Sequence, residues 1–255
     1  MKRITSILLA MMILSASIAA AATITVRADP WMPYDGDPKS DKPGYMIEVA
    51  EAIFAAKGHT IDFQNMPWTR CLDAVRKGTY DAVVGADDSE ASGFIFPSQS
   101  FGVNKNGFYV KKGSSWTYAG VSSLAQVRLG IIDGYGYAEK LDEYIVANKS
   151  NSKKIFIAKG DDALPKLIKM VKAGRLDVVI DNANVMAHTL QGLGLENAVV
   201  QAGAADEVTD LYMAFSPAKA SSKEYAKIFD QGLAELRSNG KLQKILSRYG
   251  LKDWK

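Results

Sequence analysis

Three observations predict an α/β protein built as two similar lobes, each a mixed sheet flanked by helices. First, short β-branched or apolar runs alternate with amphipathic helical runs, the pattern of sheets covered by helices. Second, Val75-Arg76-Lys77-Gly78-Thr79-Tyr80-Asp81-Ala82-Val83-Val84 returns as Val171-Lys172-Ala173-Gly174-Arg175-Leu176-Asp177-Val178-Val179-Ile180, 96 residues further on. Each copy reads as a basic helix end, a glycine stop, a tight turn with Asp and a buried strand. Third, the apolar run Phe108-Tyr109-Val110 and the run Leu211-Tyr212-Met213-Ala214-Phe215 each lead into a polar connector. The chain is therefore expected to cross to a second lobe near residue 110 and return near 212. Two crossings make a two-strand hinge and leave a cleft, and ligands of such sheets sit beyond the carboxyl ends of the strands.

The elements follow in order. Residues 23–28 (TITVRA) form a strand that Asp29-Pro30-Trp31-Met32-Pro33-Tyr34 ends with two prolines. Ile47, Ala50, Ile53 and Phe54 fall at helical spacing over 45–56, and Gly58 stops that helix. Residues 60–64 are a strand. Thr69 is placed to cap a helix running to Lys77, with Gly78 after it. Residues 81–85 (DAVVG) are a buried strand. The middle region holds strands at 127–132, 154–158, 177–181 and 198–201, with a helix over 138–146. After Pro217, Tyr225, Ile228, Phe229, Leu233 and Leu236 mark one helix, and Leu242, Ile245 and Leu246 a second that stops at Gly250.

Composition is that of a globular protein: 255 residues, 47% hydrophobic and 23% charged. Lys2 and Arg3, a short apolar run and the alanines 19–22 read as a secretory signal peptide over residues 1–22, cleaved near Ala22. The alternative, a membrane anchor, needs about 20 apolar residues, more than the run supplies. Without Lys2 and Arg3 the charges are 29 basic against 28 acidic, so no basic stripe points to nucleic acid. One cysteine, Cys71, excludes an internal disulfide and a Cys-rich zinc module. Asp35-Gly36-Asp37 with Asp41 has Met46 where a calcium loop needs a bidentate Glu, and reads as an acidic turn. His59 reads as a surface residue, His188 as a satisfied helical one and Cys71 as a small buried apolar group. Neither a cofactor nor a catalytic set of known spacing emerges from the residues.

Several stretches carry a family likeness: Trp31-Met32-Pro33-Tyr34, Gly44-Tyr45-Met46-Ile47-Glu48-Val49-Ala50-Glu51-Ala52-Ile53, Pro67-Trp68, Gly78-Thr79-Tyr80-Asp81-Ala82, Phe96-Pro97-Ser98, Leu129-Gly130-Ile131-Ile132-Asp133-Gly134, Gly174-Arg175-Leu176-Asp177 and Asn239-Gly240-Lys241-Leu242. In order and spacing they resemble the family 3 periplasmic solute-binding proteins of bacterial ABC uptake systems, whose usual ligands are polar amino acids. The resemblance implies a type II periplasmic-binding fold, with residues 23–109 and 213–255 as one lobe and 110–212 as the other. It implies an exported periplasmic protein, expected as a monomer, that captures a small polar, amino-acid-like or cationic solute and delivers it to a membrane permease.

Carried over by residue, the resemblance makes Trp31 and Trp68 ligand-packing rings and residues 85–88 (Gly85, Ala86, Asp87, Asp88) a ligand-bonding loop. Gly134, Tyr135 and Gly136 become a helix-N-terminal loop for a ligand carboxylate, and Asp181 the acid that receives an ammonium. Amino-acid binders of that family usually carry an arginine, a fork for the ligand carboxylate, a few residues after the loop that ends at Asp88. Here Ser89-Glu90-Ala91-Ser92-Gly93 holds none, and Arg70 is the substitute the sequence offers. Tyr34 and Tyr137 read equally as cleft or core aromatics. Asp87, Asp88, Glu90 and Asp133 read either as a solvated acidic rim or as partners of a cationic ligand. Two other readings stay open: a sensor module that signals to a receptor, and a cyclohexadienyl dehydratase-like enzyme with Glu90 or Asp88 as general acid.

Overall fold

The computed structural model describes residues 21–255; the signal-peptide expectation lies, except for Ala21 and Ala22, outside the described residues. In chain order the first elements are β1 (Thr23–Ala28), α1 (Tyr45–Ala55), β2 (Thr60–Asn65), α2 (Trp68–Arg76) and β3 (Ala82–Ala86). β1 pairs in parallel with both β2 and β3. Then come β4 (Gly102–Lys111), a 3-10 turn (Val121–Gln126), β5 (Leu129–Ile132), α3 (Glu139–Asn148), β6 (Ile155–Ala158), α4 (Ala163–Lys172) and β7 (Val178–Asn182). β5 pairs in parallel with β6 and β7, as β1 does with its neighbours. The chain closes with α5 (Ala183–Leu193), β8 (Val199–Phe215), α6 (Ser222–Ser238) and α7 (Lys241–Arg248). The strand order is β2-β1-β3-β8-β4-β7-β5-β6.

The ten-residue repeat survives down to single hydrogen bonds. Gly78 N–H donates to Val75 O at 2.9 Å, and Gly174 N–H to Val171 O at 3.0 Å, so each glycine closes its helix in the same way. Asp81 Oδ2 then accepts the backbone N–H of Thr25 on β1 at 2.8 Å, and Asp177 Oδ2 that of Arg128, just before β5, at 2.7 Å. Each aspartate thus ties the start of its own strand to the parallel strand beside it. β8 pairs antiparallel with β3 over Tyr212–Phe215 and with β4 over most of its remaining length, while β4 pairs antiparallel with β7. The two parallel triplets are thereby joined through β8 and β4.

Apolar periodicity set the helix faces. α1 buries Ile47, Val49, Ala50, Ile53 and Phe54, and α6 buries Ala226, Ile228, Phe229, Leu233 and Leu236. One buried cluster runs from Ile24 and Phe54 through Trp31 and Tyr109 to Leu167 and Val185, so it continues across both triplets.

Several local expectations are corrected. Thr69 is not a cap: α2 starts at Trp68 with Pro67 in the capping position, because proline fixes the extended entry and its missing N–H is no loss there. The strand expected at 198–201 and the apolar run 211–215 belong to one 17-residue strand, β8 (Val199–Phe215). α5 is capped by Asn182, whose Oδ1 accepts from the N–H of Asn184 at 2.9 Å and of Val185 at 3.4 Å. His59 is buried: its Nδ1 accepts from Ala22 N–H at 3.2 Å, and its ring packs edge-on against Phe54 and Tyr225. His188 is exposed on α5, and Cys71 is buried and free.

The loop between β1 and α1 is held by backbone. Tyr45 and Met46 N–H donate to Pro33 O at 3.0 Å and Tyr34 O at 2.9 Å, which satisfies the start of α1 without a side-chain cap. Trp31 N–H in turn donates to Asp35 O at 2.9 Å. Gly44 permits this closeness: its φ is +110°, and a Cβ there would stand 2.3 Å from Asp35 Cα and 2.4 Å from Tyr34 O. Gly44→Ala is expected to cost about 3 kcal/mol and to lower the melting temperature by roughly 10 °C in a thermal scan. An unchanged melting temperature would show that the loop relaxes freely.

Candidate functional site

The carboxyl ends of β1 and β3, the start of β4 and the loop before α3 converge on one cavity, where open α/β sheets place their ligands. It is lined by Asp29, Trp31 and Asp35 after β1, Trp68 at the head of α2, Val84 and Gly85 of β3, Glu90, Asn104, Leu211, and Tyr135 and Gly136. The empty space is about 350 Å³, part of it open to solvent. Trp31 lies stacked on Tyr34 with ring centroids 4.6 Å apart. Tyr135 stands edge-on to both indoles, 6.3 Å from Trp31 and 6.5 Å from Trp68. Both indoles are themselves less than a tenth exposed.

Among these rings stand carboxyl groups with few partners. Asp29 Oδ2 accepts from the Tyr135 hydroxyl at 2.7 Å. Asp181 Oδ1 accepts from Trp31 Nε1 at 3.1 Å and from Asn182 N–H at 2.7 Å. Glu90 Oε1 accepts from Gly136 N–H at 2.7 Å and Trp68 Nε1 at 3.2 Å. Asp35 is 1% exposed, and its Oδ1 has no partner; neither has Asp181 Oδ2. Burial pushes Asp29 and Asp181 up to about 7, against a hydroxyl or indole donor that pulls each back. Burial also holds Asp35 and Glu90 well above the usual carboxylate range, with the charges of Asp29 and Asp87 respectively adding to the shift.

Among the described residues no lysine, arginine or histidine lines the cavity. The buried Arg27 is spent on Asp62, 2.9 Å away. Among the described residues no three His, Cys, Asp or Glu side chains stand close enough to hold a metal ion. An acceptor-rich, aromatic-walled pocket of this kind suits a ligand with N–H donors and positive charge.

Residues 23–252 match the bacterial extracellular solute-binding proteins, family 3. The chain belongs to that family. Among curated proteins no sequence matches it. Solved structures share the fold of this family 3 protein at low identity. A substrate-binding protein of an ABC uptake transporter from Streptococcus pneumoniae, with bound histidine, matches with a TM-score of 0.74 at 20% identity, over 89% of this chain and 92% of that one. The amino acid ABC transporter substrate-binding protein AbpA of the same species, bound to L-arginine, gives 0.69 at 23% identity over 89% and 94%. A histidine kinase sensor domain similar to periplasmic binding proteins gives 0.73 at 20% identity over 89% and 95%. Among the described residues no helix of the family 3 chain is long and apolar enough to cross a membrane.

Of the site residues expected from sequence, Trp31, Trp68, Gly85, Tyr135 and Gly136 line the cavity of this family 3 protein. Tyr34 stands behind Trp31, where its hydroxyl accepts from Asn184 Nδ2 at 3.1 Å. Asp181 is buried behind the same indole, and Ala86 is buried at the end of β3. Three residues stand elsewhere. Arg70 is exposed on α2, off the buried face that carries Trp68, Cys71 and Val75; Asp88 is exposed on its loop; and Gly134 is exposed against Thr69. Tyr137 is a core residue whose oxygen accepts from Ile132 N–H at 2.8 Å. The reading of a solvated acidic rim fails for Asp87, which is buried, and for Glu90, whose carboxyl is enclosed by Trp68 and Gly136. Asp133 does face solvent in part and pairs with Lys159 at 3.3 Å. Sequence reasoning missed Asp29, Asp35, Val84, Asn104 and Leu211 as lining residues. Asp29 lies one residue past β1, and that strand-end position was the available signal.

Proposed function

We propose that this protein is exported, closes on a small polar solute bearing a positively charged nitrogen, and delivers it to an ABC-type permease. Residues 23–109 with 213–255 form one lobe and 110–212 the other, with β4 and β8 as the hinge between them. The cation rests against Trp31, Trp68 and Tyr135, with Asp35, Asp29 and Asp181 as its counter-charges.

The observation that carries this reading is the buried, unpartnered Asp35 Oδ1 on a cavity lined, among the described residues, by no basic side chain, with a second such oxygen, Asp181 Oδ2, on the carboxyl that Trp31 Nε1 donates to. An unmade hydrogen bond of this kind costs about 1–3 kcal/mol, which an ammonium or guanidinium restores on binding. A cation on an indole face adds about 0.5–2 kcal/mol. Contacts already made across the cleft support closure: Trp31 with Asp181, Tyr34 with Asn184, Glu90 with Gly136 and Asp29 with Tyr135.

A thermal-shift panel of amines, guanidines and amino acids tests the reading. A true ligand at a hundred times its Kd adds about 2.7 kcal/mol to the folded state and raises the melting temperature. A panel in which no cation shifts the melting temperature overturns it. Asp181→Ala is expected to weaken the best ligand more than tenfold by calorimetry, since the buried cation loses a partner; equal affinity removes Asp181 from the site. A receptor in place of the permease is the second reading, on the likeness to a kinase sensor domain. Ligand-dependent retention of the protein by permease-containing, but not receptor-containing, membranes separates the two.

A further inference from the structure

We infer that the solute is an organic cation without a carboxylate, and that Glu90 enforces this by occupying the donors a ligand carboxylate would use. The inference rests on the cavity being the solute site. Four lining side chains carry a hydrogen-bond donor: Trp31, Trp68, Tyr135 and Asn104. Trp31 Nε1 is given to Asp181, Tyr135 Oη to Asp29 and Trp68 Nε1 to Glu90. The Gly136 N–H, which points from the loop before α3, is also given to Glu90, at 2.7 Å. Only the neutral amide of Asn104 is left among these side chains, and its own oxygen is tied to Asn182 Nδ2 at 2.9 Å.

An incoming carboxylate would find one amide, no arginine or lysine, and the acids Asp29, Asp35 and Glu90 on the walls. Losing its hydration to such a pocket is costly without a charged or multiple-donor host. The acceptor side is the reverse. Asp35 Oδ1 is enclosed and unpartnered at the cavity, so it awaits a donor that the protein does not supply. Glu90 therefore stands where a ligand acid group would, as a built-in part of the protein. Its Oε2 reaches the Asp87 N–H at 3.4 Å, which fixes the carboxyl to its own loop as well as to the facing one.

Calorimetry on the full mature chain with matched pairs tests this: agmatine against arginine, and cadaverine against lysine. At least one amine is expected to bind 100-fold or more tightly than its parent amino acid. Glu90→Gln keeps an acceptor for Gly136 and Trp68, so the preference persists. Glu90→Ala frees both donors, and the amine-to-amino-acid ratio should fall at least tenfold; Glu90→Ser serves if the alanine variant does not fold. Amino acids that bind the wild type as well as their amines overturn the inference and leave the cation-binding reading intact. A ratio unchanged in Glu90→Ala removes Glu90 as its cause. Failure of every amine and amino acid to bind overturns the cation reading itself, and the inference with it.

Discussion

Asp35→Asn is expected to weaken binding of the cationic solute about a hundredfold while making the empty protein more stable. The two effects have one cause. Asp35 is 1% exposed, lines the cavity and has an oxygen with no donor. In the empty protein that carboxyl is a liability, held well above its ordinary pKa by burial and then by the charge of Asp29. An uncharged amide of the same shape removes most of that penalty, on the order of 1–2 kcal/mol, or a few degrees in melting temperature. For the ligand the sign reverses. A hydrogen bond to a charged group is worth about 1.5–3 kcal/mol, and the amide supplies neither the charge nor a second acceptor. Calorimetry and a thermal scan on the same preparation check both halves. Loss of affinity together with loss of stability would mean that Asp35 is a structural residue, and the site would have to be redrawn without it.

The second large effect is a pair of opposed pH slopes. Asp29 and Asp181 titrate near 7 in the folded protein and near 3.8 when unfolded. Between those values the folded chain binds more protons than the unfolded one, so the stability of the empty protein falls as pH rises from about 4 to about 7. Each group contributes up to a few kcal/mol to that fall, the two together somewhat less than twice as much because they sense each other. Above pH 8 their slope vanishes. Asp62, which its hydrogen bond to Arg27 holds below the ordinary range, acts below pH 4 and leaves this window alone. A cation needs the ionised carboxylates, so its affinity should climb by up to about tenfold per pH unit for each acid it engages, from pH 5.5 toward 7, and level off by pH 8. Titrations in buffers of different ionisation heat would register the released protons. Affinity that stays flat across this range would show that neither acid faces the ligand's charge.

The fold was legible because its signals are local and repeated. Glycine stops at Gly78 and Gly174, each followed by an aspartate and an apolar strand, belong to one helix-to-strand turn used twice, and the hydrogen bonds of Asp81 and Asp177 bear out that equivalence. Where a local signal was ambiguous the reading slipped. Asn182 looked like a polar strand end because its capping role depends on the chain turning there. The middle of β8 holds small and charged residues with few apolar ones, so only its first residues read as a strand; pairing along β4 carries it on to Phe215.

The cavity was half legible. Trp31 and Trp68 stood out because rings beside prolines are poorly suited to simple core filling. Asp35 read as part of an acidic turn, since nothing nearby in sequence shows that Gly44 lets α1 press its loop inward. Glu90 was named, yet its contact with Gly136 spans 46 residues and exists only in three dimensions. Arg70 seemed a neighbour of Trp68 in sequence, but two positions along a helix is more than half a turn, and its side chain faces water.

The two strands that run side by side between the parallel triplets have a mechanical consequence. β4 and β8 are antiparallel and bonded along most of β4, with the register interrupted on either side of Gly107. Such a ribbon twists and flexes with little resistance but cannot be stretched or slid lengthwise without breaking many bonds together. Under the two-lobe reading proposed above it would act as a torsion bar, with its pairing weakest at the interruptions beside Gly107. If the triplets are the lobes proposed above, their relative motion is carried mainly as rotation about this ribbon, where separate flexible linkers would also let them slide apart.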